Sequence, residues 1–112
     1  MSEAKAHLNS YRQSPRKVRI VADLVRGKKA EEAITILSFV PKRAGLPIQK
    51  LVASALANAK SLSIPTENLV VKEISVDAGK ILYRRRPRSR GMSNPIRKRT
   101  SHVSVTLGEK KK

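Results

Sequence analysis

The segment from residue 80 to residue 100 carries nine basic side chains and no acidic one, which prevents it from joining a packed core. Unpaired charges of one sign are costly to bury. Seven of the nine are arginines, whose planar guanidinium groups bind phosphate through two hydrogen bonds and stack on bases. The segment has no helical periodicity, and Pro87, Gly91 and Pro95 interrupt its middle. It is therefore predicted to extend from the folded body toward a polyanion.

The sequences on either side of this segment predict that it is a β-hairpin. Residues Leu69–Val76 are rich in β-branched side chains, and Val103–Leu107 alternates apolar and polar residues, as a half-buried strand does. A connection of about 25 residues without structure of its own is uncommon in a compact domain. Both strands are therefore predicted to continue outward as the arms of a hairpin at about 80–100, with its tip at 87–95. At about 3.3 Å per residue, each arm reaches roughly 25 Å from the body.

The first helix of the body has clear start and stop signals. Ser14 can act as its N-cap, and Pro15 suits the first helical position. The helix is predicted to run from Pro15 to about Arg26. Gly27 follows the last turn, where a residue in the left-handed conformation commonly ends a helix.

Three further elements of the body are predicted from periodicity and from proline positions. A short second helix begins near Ala30 and ends before Pro41. A third helix covers about 44–62, with Pro47 either beginning it or kinking its first turn. A weak alternation at 6–11 predicts a short strand.

Composition restricts the partner and the chemistry. The chain has 112 residues, enough for one domain, and a formal net charge of +17. This charge favours nucleic acid over a membrane surface, because the hairpin has no broad apolar face and no apolar run could span a bilayer. Aromatic residues make up 3% of the chain, which disfavours a sheet that stacks bases on aromatic rings. Without cysteine there can be no disulfide, thiolate zinc site or cysteine nucleophile, and we expect no metal and no cofactor.

A second basic surface is predicted on the first helix, opposite its apolar stripe. This face either contacts phosphates or is simply solvated, with Asp23 neutralising part of its charge. Beside the basic hairpin, contact with phosphates is the favoured interpretation. The basic residues of this surface are Arg16, Lys17, Arg19, Arg26, Lys28 and Lys29.

No combination of residues predicts an enzyme. Ser101 and His102 are adjacent on a strand, so their side chains point to opposite faces. We expect His102 to touch RNA or to pack at the sheet edge, and His7 to be an exposed strand residue. Glu31 and Glu32 suit the positive end of a helix dipole. The five glycines are scattered and form no phosphate-binding loop.

Three stretches of the chain resemble a known family. Residues Ser14–Lys29, which read SPRKVRIVADLVRGKK, are similar to the first-helix signature of the universal large-subunit ribosomal protein twenty-two family of bacterial type. Residues Ala57–Lys60 (ANAK) and Arg97–His102 (RKRTSH) match the same family in order and spacing. The resemblance covers about residues 4–107. It implies an α+β fold in which three helices pack on a small antiparallel sheet, with one long protruding β-hairpin.

The resemblance also implies a function. It indicates a structural protein of the large ribosomal subunit that binds 23S-type rRNA near the tunnel exit and supports assembly. The hairpin is expected to line the nascent-peptide exit tunnel, opposite ribosomal protein four, and changes in it are linked in the family to macrolide tolerance and to nascent-peptide sensing. The expected rRNA contacts are Arg12, Arg16, Lys17, Arg19, Lys28, Lys29, Lys80, Arg84, Arg85, Arg86, Arg97, Lys98, Arg99 and His102. The expected tunnel-lining tip is Pro87, Arg88, Ser89, Arg90, Gly91, Met92 and Ser93.

The tip departs from the usual family pattern, Pro-Arg-Ala-x-Gly-Arg-Ala. Met92 stands where an arginine is usual, and Ser89 and Ser93 stand where alanines are usual. A role of that arginine in the tunnel wall therefore does not transfer to Met92.

We expect a single domain over residues 1–112, with its body at about 5–79 and 101–108 and a basic tail at 109–112. The polar N-terminal residues lack the apolar run of a signal peptide, so a cytoplasmic location in a bacterial ribosome is expected, and the alternative is a mature organellar protein whose targeting segment is missing. An alternative function is a free regulatory nucleic-acid-binding module that uses the basic ribbon. Such readers usually place their selective side chains on a recognition helix, whereas the densest charge here lies on the hairpin.

Overall fold

The fold, given by a computed structural model, is described for residues 3–65, 67–87 and 93–109. Within these residues one strand is followed by three helices and then by four strands, and the molecule is elongated, with principal extents of 64 × 25 × 21 Å. The elements are β1 (Glu3–Tyr11), α1 (Pro15–Val25), α2 (Ala30–Ser38), α3 (Gly45–Ser61), β2 (Leu69–Ala78), β3 (Leu82–Pro87), β4 (Ser93–Lys98) and β5 (Ser101–Glu109).

The body is built on an antiparallel sheet of three strands in the order β1-β5-β2. The last strand of the chain is therefore the central one, and it pairs with β1 on one side and β2 on the other. Val103, Val105 and Leu107 of β5 are fully buried, and the residues between them are half-buried. This alternation confirms the strand that the sequence predicted there.

The helices cover one face of this sheet, which confirms the α+β fold. Helix α1 packs on β2, α3 packs on β1 and β5, and α2 packs on α3. The core between the layers is aliphatic, as the low aromatic content required. Pro47 lies in the first turn of α3, where its missing N–H group has no intrahelical partner to lose.

The ends of α1 agree with the sequence in all but one respect. Gly27 follows the helix with a φ of +79°, which confirms it as the stop. Pro15 is the first helical residue. The prediction that the Ser14 side chain caps the helix is wrong, because its hydroxyl makes no capping hydrogen bond. The backbone carbonyl of Ser14 instead accepts a hydrogen bond from the Val18 N–H at 3.2 Å.

The hairpin is a separate two-stranded sheet made of β3 and β4. Its ladder runs from the pair Leu82 and Lys98 to the pair Pro87 and Ser93. The sequence predicted that the body strands continue outward as the hairpin arms. The structure corrects this, because residues 79–81 and 99–100 interrupt the strands and separate the two sheets. The tip residues Arg88, Ser89, Arg90, Gly91 and Met92 lie outside the described residues, as does the tail at 110–112.

The interruption at the hairpin root is held by hydrogen bonds rather than by a regular ladder. The Gly79 N–H donates to the Thr100 carbonyl at 2.9 Å, and the Thr100 hydroxyl donates to the Lys80 carbonyl at 2.6 Å. The Ser101 hydroxyl donates to the Gln13 carbonyl at 2.6 Å. Thr100 and Ser101 are both buried, so water does not compete for these bonds. The root therefore joins the hairpin firmly to the body and to the turn that precedes α1.

Candidate nucleic-acid interface

A concave basic surface of about 690 Å³ lies at the root of the hairpin, and we name it the root cleft. Four segments meet in it: the turn after β1, the first turn of α1, the loop between α2 and α3, and the end of β4 with the residue that follows. The lining residues are Arg12, Gln13, Ser14, Lys17, Arg43, Lys98 and Arg99. None of them is acidic, and five of them carry a positive charge.

A second cleft of about 470 Å³ continues the first along α1. Ser14 and Arg99 line both clefts, so the two form one basic surface. The second cleft adds Arg16 and Arg19 to the set of positive charges. Together the two clefts bring seven cations into one region, namely Arg12, Arg16, Lys17, Arg19, Arg43, Lys98 and Arg99.

The electrostatics of this surface favour an anionic ligand. The ion pairs found among the described residues join Arg26 to Asp23 and Lys72 to Glu3, both away from the two clefts. No carboxylate lines either cleft, so the seven cations repel one another there. The N-terminal end of α1, with its unpaired backbone N–H groups, opens on the same surface and adds to the positive potential. Phosphate groups would relieve the repulsion and bind both kinds of donor.

Arg19 and Arg26 have an intramolecular role that the sequence did not reveal. The Arg19 guanidinium donates to the Val76 carbonyl from Nε at 3.3 Å and from Nη2 at 3.0 Å. The Arg26 Nη1 donates to the Ile74 carbonyl at 2.7 Å. Strand β2 pairs only with β5 among the described strands, so these carbonyls lie on an edge that would otherwise be open. The two arginines therefore tie α1 to β2 and cover a strand edge that could pair with another chain.

Replacing Arg19 by glutamine should lower the free energy of unfolding by about 1–2 kcal/mol, because two hydrogen bonds from a charged donor are lost at a partly exposed site. Replacing Arg16, which is exposed on the same helix, by glutamine should change the free energy of unfolding by less than about 0.5 kcal/mol. Urea unfolding of the two variants measures the difference. Equal effects of the two substitutions would contradict a structural role for Arg19.

The structure separates Lys28 and Lys29 from the two clefts. They follow the opposite end of α1. There the Lys28 carbonyl accepts a hydrogen bond from the Val71 N–H at 2.8 Å, and the backbone of Lys29 forms an antiparallel β-bridge with Val70. Both lysine side chains are exposed. Lys80 is exposed at the hairpin root but does not line either cleft. Any contact that these three lysines make with RNA is separate from the root cleft.

His102 does not lie at the sheet edge, which corrects one of the two sequence-based expectations for it. It is half-buried on β5, the central strand, and its Nδ1 accepts a hydrogen bond from the Ser10 N–H at 3.0 Å. This bond requires Nδ1 to be unprotonated. His7 is exposed on β1, as predicted, and its Nδ1 lies 2.9 Å from the Ser104 hydroxyl. Neither histidine lines the root cleft.

The remaining predicted contacts lie on the hairpin arms. Arg84, Arg85 and Arg86 belong to β3 and Arg97 belongs to β4, but their side chains are outside the described part of the structure. Arg43 is the one cleft cation that the sequence did not indicate as a contact. It sits in the short loop between α2 and α3, and no periodic pattern marks it.

One carboxyl group of the outer sheet surface has a shifted pKa. The hydrogen bond from Lys72, together with the positive charge of that ammonium group, holds the pKa of the Glu3 carboxyl below its ordinary value. The pair joins β1 and β2 across the end of β5. Because the Lys72 ammonium is bound to the Glu3 carboxylate, Lys72 is a poor candidate for RNA contact.

Within residues 3–65, 67–87 and 93–109, no helix has the length and apolar character needed to cross a bilayer. The same residues contain no group of three or more histidine or carboxylate side chains that could hold a metal ion.

The comparisons with known proteins agree with one another. A sequence model of the family described as ribosomal protein L22p/L17e matches residues 6–108. A protein named large ribosomal subunit protein uL22 from Desulfitobacterium hafniense is 50% identical over 112 residues, covering 99% of this chain and 98% of the relative. Proteins of the same name are 49% identical in Syntrophotalea carbinolica, covering 96% and 99%, and 47% identical in Lactobacillus helveticus, covering 98% and 95%.

Proposed function

The chain belongs to the ribosomal protein L22p/L17e family, and on this premise we propose that it is a structural rRNA-binding protein of the large ribosomal subunit. The observation that carries the proposal is the convergence of seven cations, without a carboxylate, in the two clefts beside the hairpin root. The family is a ribosomal structural one and not an enzyme family, so the basic surface serves binding rather than catalysis.

The proposed interaction with 23S-type rRNA is electrostatic in its main part. Each lysine or arginine that neutralises a phosphate releases a condensed counterion, which makes binding favourable at low salt and weaker as salt rises. Such contacts fix the position and orientation of the body on the RNA. The rigid root, where Ser101 is hydrogen-bonded to the turn before α1, then fixes the direction of the hairpin relative to the docked body.

The hairpin has a second proposed role, which rests on the family. We propose that it lines the nascent-peptide exit tunnel, where it meets the nascent peptide and ribosomal protein four, and that it supports assembly of the subunit. Its tip, residues 87–95, would shape the tunnel wall, while the body and the roots of the arms supply the anchoring contacts.

A tagged copy of the chain should sediment with the large ribosomal subunit, and a variant lacking Ser89–Ser93 should do so nearly as well. The deletion should instead alter macrolide susceptibility or the pausing of particular nascent chains, because it changes the tunnel wall and leaves the root cleft intact. Sucrose-gradient fractionation, drug susceptibility and ribosome profiling measure these effects. A tagged wild-type chain that stays free of ribosomes would overturn the proposed function. Loss of incorporation on tip deletion, with the body still folded, would show that the tip is itself an anchor.

A further inference from the structure

Gln13 stands out among the residues that line the root cleft, because it is the only one with an amide side chain. Its backbone is held on both sides: its N–H donates to the Tyr11 carbonyl at 2.9 Å, and its carbonyl accepts the Ser101 hydroxyl at 2.6 Å. Its side-chain Oε1 is buried, and no group of the described residues donates a hydrogen bond to it. The body thus fixes this residue at the cleft while leaving its acceptor unsatisfied.

The unsatisfied Oε1 of Gln13 indicates which hydrogen-bonding groups a ligand of the cleft would carry. Buried polar atoms are nearly always hydrogen-bonded, so an orphan at a cleft indicates a missing partner. A phosphate group cannot be that partner, because its oxygens are acceptors as well. A ligand that satisfies this acceptor therefore carries a hydrogen-bond donor, in addition to the negative charge that the five cations of the cleft attract. A nucleotide has both, since most base edges place a donor next to an acceptor, and a side-chain amide matches that pattern.

The size of the cleft suits a single nucleotide. A volume of about 690 Å³ is within the range of sites that enclose small ligands. An unpaired nucleotide that has left its stack can enter, and proteins usually read RNA bases at such unpaired positions.

We propose that the root cleft binds one unpaired nucleotide, with its phosphates on the lining cations and its base edge on the Gln13 amide. This inference rests on the proposed function, because it specifies which part of the RNA the same surface binds. Among the lining cations, Arg12 directly precedes Gln13, Lys17 comes from the first turn of α1, and Arg99 comes from the hairpin side. The nucleotide would thus be held at the junction of body and hairpin.

The test compares the wild-type full-length chain with Gln13→Leu, which keeps the size of the side chain and removes the amide. The probes are a single-stranded oligoadenylate of about twelve nucleotides and an abasic RNA backbone of the same length and charge. We expect the wild type to bind the oligoadenylate about tenfold more tightly than the abasic backbone, and Gln13→Leu to lose most of that difference while its salt dependence stays unchanged.

Two controls keep the outcomes distinct. Lys17→Gln removes a cation of the same cleft and should weaken both probes equally, with a shallower salt dependence. Circular dichroism and thermal unfolding of each variant establish that it is folded, and the wild-type comparison of the two probes does not depend on any variant. Equal binding of both probes by the wild type would overturn the inference. If the wild type binds both probes equally and does not bind a 23S-type rRNA transcript, the proposed function is overturned together with this inference. If it binds both probes equally but does bind the transcript, only this inference is overturned.

Discussion

Replacing Arg12, Lys17 and Arg43 together by glutamine should weaken binding to a 23S-type rRNA transcript by about 100-fold near physiological salt. The expected loss is large because each cation that neutralises a phosphate releases about one counterion, and three such contacts disappear. The slope of the logarithm of affinity against the logarithm of salt concentration should become shallower by about 2 to 3. Filter binding over a range of salt concentrations measures both quantities.

The matched control for this variant removes the same charge elsewhere. Lys5, Lys50 and Lys60 are exposed lysines of the body that line neither of the two basic clefts. Replacing these three by glutamine should reduce affinity by less than about tenfold, because long-range attraction is screened beyond roughly 10 Å. If both triple variants lose the same affinity, net charge alone governs binding and the root cleft has no special part in it.

Replacing Gly79 by alanine should destabilise the body by about 2 kcal/mol, and the melting temperature should fall by about 10 °C. A Cβ atom at this position would lie 2.5 Å from the Thr100 Oγ1 and 3.0 Å from the His102 Nε2. The Thr100 hydroxyl cannot simply move away, because it donates to the Lys80 carbonyl at 2.6 Å. Differential scanning calorimetry measures the change. We also expect weaker incorporation into the large subunit, because the strain falls at the root that directs the hairpin.

A double-mutant cycle with Thr100→Ala identifies the cause of this effect. Removing the Thr100 hydroxyl and methyl relieves the crowding, so the double variant should be more stable than the sum of the two single losses predicts. Gly27→Ala is the matched control. Its added Cβ has no atom within 4 Å, and its cost comes from a φ of +79° alone. Thr100→Ala should therefore leave the loss of stability caused by Gly27→Ala unchanged. If Thr100→Ala reduces the loss of stability of both glycine variants, crowding at the root is not the cause.

The elements of the body were open to prediction because their signals are local. The spacing of Val18, Val21 and Val25 predicted the buried face of α1, and all three are fully buried. The alternation along Val103–Leu107 predicted a half-buried strand, and the structure has one there. Such periods of 3.6 and 2 residues depend only on how successive side chains project from the backbone. The basic residues were open to prediction for a similar reason, since side chains that cannot be buried must face solvent or a partner.

The arrangement of those elements depended on contacts between residues far apart in sequence. Nothing local distinguishes Arg19, which binds a carbonyl of β2 that lies 57 residues further along, from a neighbouring arginine that faces solvent. Arg43 joins the root cleft only because the loop between α2 and α3 meets the turn before α1 and the end of β4. The sequence thus determined the helices, the strands and the positive charge of this chain. The tertiary structure alone decided which cations converge, where the hairpin separates from the sheet and which strand is central, because each of these is set by packing across the core and not by the spacing of adjacent residues.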